Sequence, residues 1–124
     1  MILNDEWRGV PLDRIAEWRA IFQPSREILD LSAPCPVCGV GALHRWYQVV
    51  KPEERVIGGM RVVGRGGLWE WCSACRCFEH YSCFVPEWWS CDLEVNEGRL
   101  TALPTAIEAA IRERERSLEV RSGS

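Results

Sequence analysis

The chain has 124 residues, a formal net charge of −3 and a 47% apolar composition. These values predict one domain over residues 1–124 with a single modest core. They exclude a disordered chain, which needs low hydrophobicity and high net charge, and no apolar run approaches the ~18 residues of a membrane span. The acidic balance argues against bulk nucleic-acid binding, which normally leaves a basic surface.

The first residues indicate a cellular location. Met1 to Leu3 are followed directly by Asn4, Asp5 and Glu6, so no basic region precedes an apolar one. A secretory signal requires that order. We therefore expect a cytoplasmic protein that does not associate with membranes.

Residues 1–33 have the pattern of a helical N-terminal segment. Apolar residues recur at helical spacing after Pro11, which suits a first helical turn, and Pro24 ends the helix near Gln23. A second short helix is predicted from Ser25 to Leu31, with Ser25 as its cap.

The central region, residues 34–91, is rich in strand formers and poor in helical periodicity. Gly64 to Gly67 (GRGG) is predicted to form a flexible turn between strands. The region therefore predicts a short antiparallel meander. Its predicted strands are Leu43 to Val50, a weaker one at Val56 to Val63, Leu68 to Cys72, and Phe78 to Val85.

Residues 92–124 return to a helical pattern. Thr105 and Glu108 are spaced as a capping box, and the polar end of the chain is expected to fray. Strands in the centre and helices at both ends predict an α+β fold. In this fold a small antiparallel sheet is packed by N- and C-terminal helices.

The seven cysteines are an odd number, so they cannot form a complete internal disulfide framework, and a reducing compartment disfavours disulfides. Four of them form two C-x-x-C pairs, Cys35 with Cys38 and Cys72 with Cys75. A C-x-x-C turn presents two thiolates on one side, and zinc takes about four such ligands in a tetrahedron. We predict one structural Zn²⁺ at these four cysteines, with no open coordination position.

Residues 33–85 resemble a zinc ribbon, and the CPVCG stretch (35–39) is the most specific part of the resemblance. Gly39 permits the positive φ that lets backbone N–H groups point at sulfur. The second half departs from the pattern, because Arg76 stands where glycine is usual and Cys77 follows it. Cys77 therefore stays open as an alternative ligand to Cys75.

Other roles for these residues are less favoured. The WCSAC stretch (71–75) resembles a thioredoxin motif, but that motif needs a following helix, and residues 76–85 are predicted to form a strand. His44 or His80 could replace a cysteine in a Cys₃His site. Around His80 we find no catalytic motif, so no enzymatic activity is expected.

Four tryptophans flank the second cysteine pair. Strand alternation places Trp69 and Trp71 on one sheet face and Cys72 on the other. Trp88 and Trp89 are adjacent, so they cannot easily point the same way, and one is predicted to be exposed. Because an exposed tryptophan is a good interface anchor, both are candidate partner-binding residues.

The size, the charge and the stretch GLWEWCSACRCFEHYSCFVPEWW (67–89) are similar to bacterial immunity proteins. The resemblance implies a non-enzymatic protein-binding module that occludes a basic toxin domain. The alternative is a zinc-ribbon nucleic-acid-binding protein of the transcription or RNA-processing type, using Arg61, Arg65 and Arg76. The acidic charge favours the protein partner.

Overall fold

A computed structural model describes residues 6–122, with side chains through residue 119. It has the predicted α+β fold, with one helix before and one after the three long strands of the central region. No helix in the described part of the chain is long and apolar enough to cross a membrane. The strands are β1 (Arg8–Gly9), β2 (Leu29–Asp30), β3 (Leu43–Ile57), β4 (Met60–Cys72) and β5 (Cys77–Pro86). The helices are α1 (Ile15–Phe22) and α2 (Thr105–Ser122), and a short 3-10 helix spans Glu97–Arg99.

The five strands form one sheet in the order β1-β5-β4-β3-β2. Strands β3, β4 and β5 form the predicted antiparallel meander, but as three long strands rather than four. The predicted strand from Val56 to Val63 is wrong, because the turn at Gly58 and Gly59 divides it between β3 and β4. Strand β1 runs parallel to β5, so the sheet is mixed rather than purely antiparallel. The backbone N–H of Arg8 donates to the carbonyl of Arg76 at 2.9 Å, and the guanidinium of Arg8 donates to the carbonyl of Cys75 at 2.9 Å. A two-residue strand carries no periodicity, and for that reason the sequence did not reveal it.

The predicted GRGG turn is wrong, because Gly64–Gly67 lie inside β4. The chain turns instead at Gly58 and Gly59, whose φ values are +56° and +83°. Two left-handed residues are what a two-residue hairpin loop of the primed type needs. The glycines inside β4 allow close approach of β3, since a Cβ at Gly66 would lie 1.9 Å from the carbonyl oxygen of Gln48.

The predicted second helix, from Ser25 to Leu31, is also wrong. Two of its residues form β2, which pairs with β3. The guanidinium of Arg45 donates to the carbonyls of Phe22 at 2.6 Å, Ser25 at 2.8 Å and Glu27 at 2.7 Å. The Arg45 side chain, which is distant in the sequence, therefore binds backbone carbonyls that a helix would have used for its own hydrogen bonds.

The sheet buries both faces, one against each helix. On one face, Trp18 and Phe22 of α1 pack with Leu43, Cys72 and Cys77. The other face packs against Ile107 of α2 and Leu93, through Trp46, Trp69 and Trp71. The predicted alternation of Trp69 and Trp71 against Cys72 is confirmed.

Helix α2 begins at Thr105 as predicted, but Glu108 does not complete a capping box. Its carboxylate instead accepts from the indole N–H of Trp71 at 3.2 Å, while the Thr105 hydroxyl accepts from the indole of Trp7 at 3.1 Å. Tertiary contacts thus replace the local cap. The end of the chain that was expected to fray includes residues 123–124, which lie outside the described residues.

Candidate metal centre

The four cysteines of the two C-x-x-C pairs meet at one end of the sheet. Pairing of β3 with β4 sets Leu43 opposite Cys72, and this register brings the turn before β3 beside the turn after β4. The backbone N–H of Ser73 donates to the carbonyl of Ala42 at 2.9 Å and joins the two turns. The four sulfur atoms, of Cys35, Cys38, Cys72 and Cys75, all lie within 4.8 Å of one another.

The sulfur–sulfur distances are compatible with a tetrahedral metal site. The Sγ atoms of Cys35 and Cys75 are 3.8 Å apart, and those of Cys38 and Cys72 are 3.7 Å apart. A tetrahedral site with metal–sulfur bonds of ~2.3 Å has sulfur–sulfur edges of about 3.8 Å. The group could therefore hold a metal ion with little rearrangement.

Each pair of cysteines is held by a tight turn with a left-handed residue four positions after its first cysteine. In the first turn this residue is Gly39, with φ +80°, and its N–H donates to the Cys35 carbonyl at 2.8 Å. In the second it is Arg76, with φ +68°, whose N–H donates to the Cys72 carbonyl at 3.0 Å. A non-glycine residue in this conformation costs roughly 1–2 kcal/mol.

Contacts of the Arg76 side chain offset that strain. Its guanidinium donates to the carboxylate of Glu108 and lies 4.6 Å from the ring centroid of Trp7. Glu108 also accepts from Arg112 at 3.4 Å and is 7% exposed. A single carboxylate therefore ties α2 to the turn that carries Cys72 and Cys75.

The four thiols differ in how burial and their hydrogen bonds shift the pKa. Burial raises the pKa of Cys35, Cys72 and Cys75 above the ordinary thiol value, and backbone N–H groups oppose this. One of these is the N–H of Val37, which donates to Cys35 Sγ at 3.3 Å. At Cys38, burial is outweighed by the backbone N–H of Val40 and by neighbouring thiols, so its pKa is lowered. A divalent cation would supply the positive charge that four thiolates need.

The alternatives left open by the sequence lie outside this group. Cys77 is 1% exposed and packs in the α1 core, so Cys75 completes the four. His44 uses both ring nitrogens elsewhere, at 3.0 Å from Asp30 Oδ1 and 3.2 Å from Ser73 Oγ. Nδ1 of His80 donates to the carbonyl of Leu68 at 3.0 Å, farther along the sheet.

Of the two candidate partner-binding tryptophans, Trp88 is the exposed one, with 41% of its surface accessible. The guanidinium of Arg26 lies 5.1 Å from the centroid of its ring. Trp89 is half-buried and covers the Arg45 guanidinium at 5.0 Å. The pair therefore combines one exposed ring with one that is held by the fold.

The three arginines of the nucleic-acid hypothesis do not form a strip. Arg61 and Arg65 lie in the half of β4 near the Gly58–Gly59 turn, whereas Arg76 follows the other end of β4 and is bound to Glu108. At ~3.3 Å per residue, the strand from Arg65 to Cys72 alone extends about 23 Å, which places Arg76 away from Arg61 and Arg65.

Neither a family model, nor a curated protein, nor a solved structure matches this chain. Sequence patterns identified the four cysteines but missed Trp7 and Arg45 and gave Glu108 only a capping role, whereas all three support the site or the core around it. One sequence signal pointed to such supporting residues. Arg76 stands where a zinc ribbon usually has glycine, and this implied that other contacts stabilise the turn.

Proposed function

We propose that the chain is a non-enzymatic module whose four cysteines hold one structural Zn²⁺. The observation that carries this proposal is the tetrahedral spacing of four sulfur atoms on two tight turns. Thiolates are soft ligands that suit zinc, and four protein ligands leave no position for a substrate. The metal then has a structural role, joining the turn before β3 to the turn after β4, as in a zinc ribbon.

A matched pair of cysteine variants tests the zinc site. Elemental analysis of protein purified without chelators should find one zinc per chain. The Cys75→Ser variant should lose the zinc, while the Cys77→Ser variant should keep it. Of these two cysteines, only Cys75 belongs to the group of four neighbouring sulfur atoms. Metal-free native protein, or loss of zinc from the Cys77 variant alone, would refute the ligand set.

The second part of the proposal is that the module binds a protein with a basic surface. Support comes from the net charge of −3, which one zinc ion with four thiolates would lower by a further two units. It also comes from Trp88, an exposed aromatic ring with Arg26 beside it. Opposite charges would speed association, and a buried tryptophan would slow dissociation.

The similarity to immunity proteins suggests that the partner is a basic bacterial toxin domain, blocked by occlusion of its active site. A zinc-loaded, tagged chain would capture the partner from host cells, and calorimetry would then give the affinity of the purified pair. Trp88→Ala should weaken binding about 30-fold or more, equivalent to about 2 kcal/mol. Leu12→Ala, a control at a residue that is 90% exposed, should leave the affinity unchanged.

The same experiment separates this proposal from its alternatives. If Trp88→Ala leaves the affinity unchanged, Trp88 is not part of the binding surface. Capture of an acidic partner, or of nucleic acid alone, would remove the basic-toxin hypothesis while leaving the zinc site intact.

A further inference from the structure

A cavity of about 480 Å³ opens on the sheet face that carries Trp69, away from the metal centre. Its floor and walls come from neighbouring positions on β3, β4 and β5, and Leu100 and Thr101 close one end. Cross-strand pairing sets its lining residues in rows: Trp69 lies beside His80, Gln48, Gly67 and Ser82 follow one another across three strands, and Lys51 lies beside Arg65.

Four polar side chains that line this cavity have no hydrogen-bond partner among the described residues: Gln48, Lys51, Arg65 and Ser82. Lys51 and Arg65 are exposed, and within the described part of the chain neither forms an ion pair. The side chains of Gln48 and Ser82 likewise have no hydrogen-bond partner among the described residues. No aspartate or glutamate lines the cavity, although the chain has 18 acidic residues. Two cations with no acidic neighbour in the lining, beside two neutral donors, suit an anion.

The wall beside these donors is aromatic. The His80 ring stacks on Trp69 with centroids 4.3 Å apart and planes inclined by 24°. The Nδ1–H bond to the Leu68 carbonyl fixes the orientation of the His80 ring. Gly67 leaves room for the stack, since a Cβ there would lie 3.1 Å from the Trp69 ring. Next along the sheet, the Arg65 guanidinium lies 4.9 Å from the Phe84 centroid.

We propose that this cavity binds a small organic phosphate that carries a planar ring, the class to which mononucleotides belong. The phosphate lies between Lys51 and Arg65, and the ring packs against His80. The volume is within the ~300–1,000 Å³ of typical small-molecule sites. A single small ligand is favoured over a nucleic-acid strand, because the net negative charge of the chain repels phosphates that extend beyond the two cations.

Calorimetry on the zinc-loaded full chain at low salt tests the site with AMP, UMP, ribose 5-phosphate and inorganic phosphate. AMP or UMP should bind at least tenfold more tightly than ribose 5-phosphate or inorganic phosphate. The double variant Lys51→Ala/Arg65→Ala should weaken nucleotide binding at least tenfold. A charge-matched control, Arg14→Ala/Arg114→Ala, removes two exposed arginines from ion pairs elsewhere and should change the affinity less than twofold.

A third variant tests the aromatic wall. His80→Ala should lower the affinity for AMP to that for ribose 5-phosphate, with an unchanged far-UV spectrum as the check on folding. Equal affinity for inorganic phosphate and AMP would rule out the proposed contact between the planar ring of the ligand and His80. Tighter binding of a 12-nucleotide single strand than of AMP would overturn the small-ligand assignment, and no binding of any probe at millimolar concentration would overturn the site.

Discussion

Arg45 is a single side chain that organises the chain between α1 and β3. It is 2% exposed, and its planar guanidinium donates to three backbone carbonyls of this connection, those of Phe22, Ser25 and Glu27. Its charge faces Glu70, at 3.8 Å, whose other oxygen accepts from the Tyr81 hydroxyl at 3.2 Å. Burial raises the pKa of Glu70 to about 7, and the Arg45 charge opposes this shift.

Replacing Arg45 with lysine should destabilise the protein by about 2–3 kcal/mol, since a point ammonium cannot bond all three carbonyls. Urea unfolding measures the change. The matched control is Arg55→Lys, at an exposed arginine on β3, which should alter the free energy of unfolding by less than about 0.5 kcal/mol. Equal free energies of unfolding for the two variants would show that the hydrogen bonds of the Arg45 guanidinium do not stabilise the fold.

The thiol of Cys83 gives a second prediction at the residue scale. Burial raises its pKa to about 11, and the nearby Glu70 charge acts in the same direction. Only the thiolate reacts, so iodoacetamide should modify Cys83 slowly at pH 8, and the rate should rise about tenfold per pH unit below the pKa.

Mass spectrometry of the zinc-loaded protein at pH 7.5, 8.5 and 9.5 would measure these rates, with Cys83→Ser to assign the adduct. Modification at pH 7.5 as fast as that of an unstructured cysteine peptide would contradict the prediction.

At the scale of elements, the β3–β4 hairpin depends on where its glycines stand. Gly58 and Gly59 form the loop, and Gly64 and Gly66 give β3 room to bulge. A Cβ at Gly64 would lie 2.4 Å from the Lys51 carbonyl oxygen, and backbone of a neighbouring strand cannot move aside cheaply.

Gly66→Ala should therefore destabilise the protein by about 2 kcal/mol or more, because the added methyl separates the two strands. Gly41→Ala is the control, since nothing lies within 4 Å of the added Cβ. Thermal unfolding followed by circular dichroism compares the two variants. An equal fall in Tm would show that the close approach at Gly66 is not a constraint.

At the scale of the whole molecule, the metal centre and the α1 core are continuous. Cys35 and Cys72 belong to the group of four cysteines that could hold a metal ion, and they also pack with Trp18 and Phe22. Without a metal, the thiolates of Cys35 and Cys72 would be buried charges that must be neutralised or exposed. A metal ion in this group would therefore support the packing of α1 on the sheet.

Removing zinc should unfold the central region, because a structural zinc contributes about 10–16 kcal/mol and domains have a net stability of only about 5–15 kcal/mol. The near-UV signal of the buried tryptophans should collapse on chelation, while part of the helical far-UV signal from α2 survives. Addition of excess zinc with the chelator is the control. An unchanged Tm after verified metal removal would show that the core does not need the ion.

The sequence alone predicted what short-range chemistry encodes. A C-x-x-C turn is specified by four or five neighbouring residues, and strand alternation separates Trp69 and Trp71 from Cys72 whatever their partners are. Only the tertiary structure decided between Cys75 and Cys77, because that choice depends on which sulfur the β3–β4 register brings to Cys35 and Cys38.

Long-range contacts decided the rest. The GRGG stretch forms part of a strand because β3 and β5 pair with it on both sides. The segment from Ser25 to Leu31 is not helical because the Arg45 guanidinium donates hydrogen bonds to its carbonyls. Local propensity is worth a few tenths of a kcal/mol per residue, less than a sheet ladder or a buried guanidinium supplies. Tertiary contacts therefore prevail wherever the two disagree.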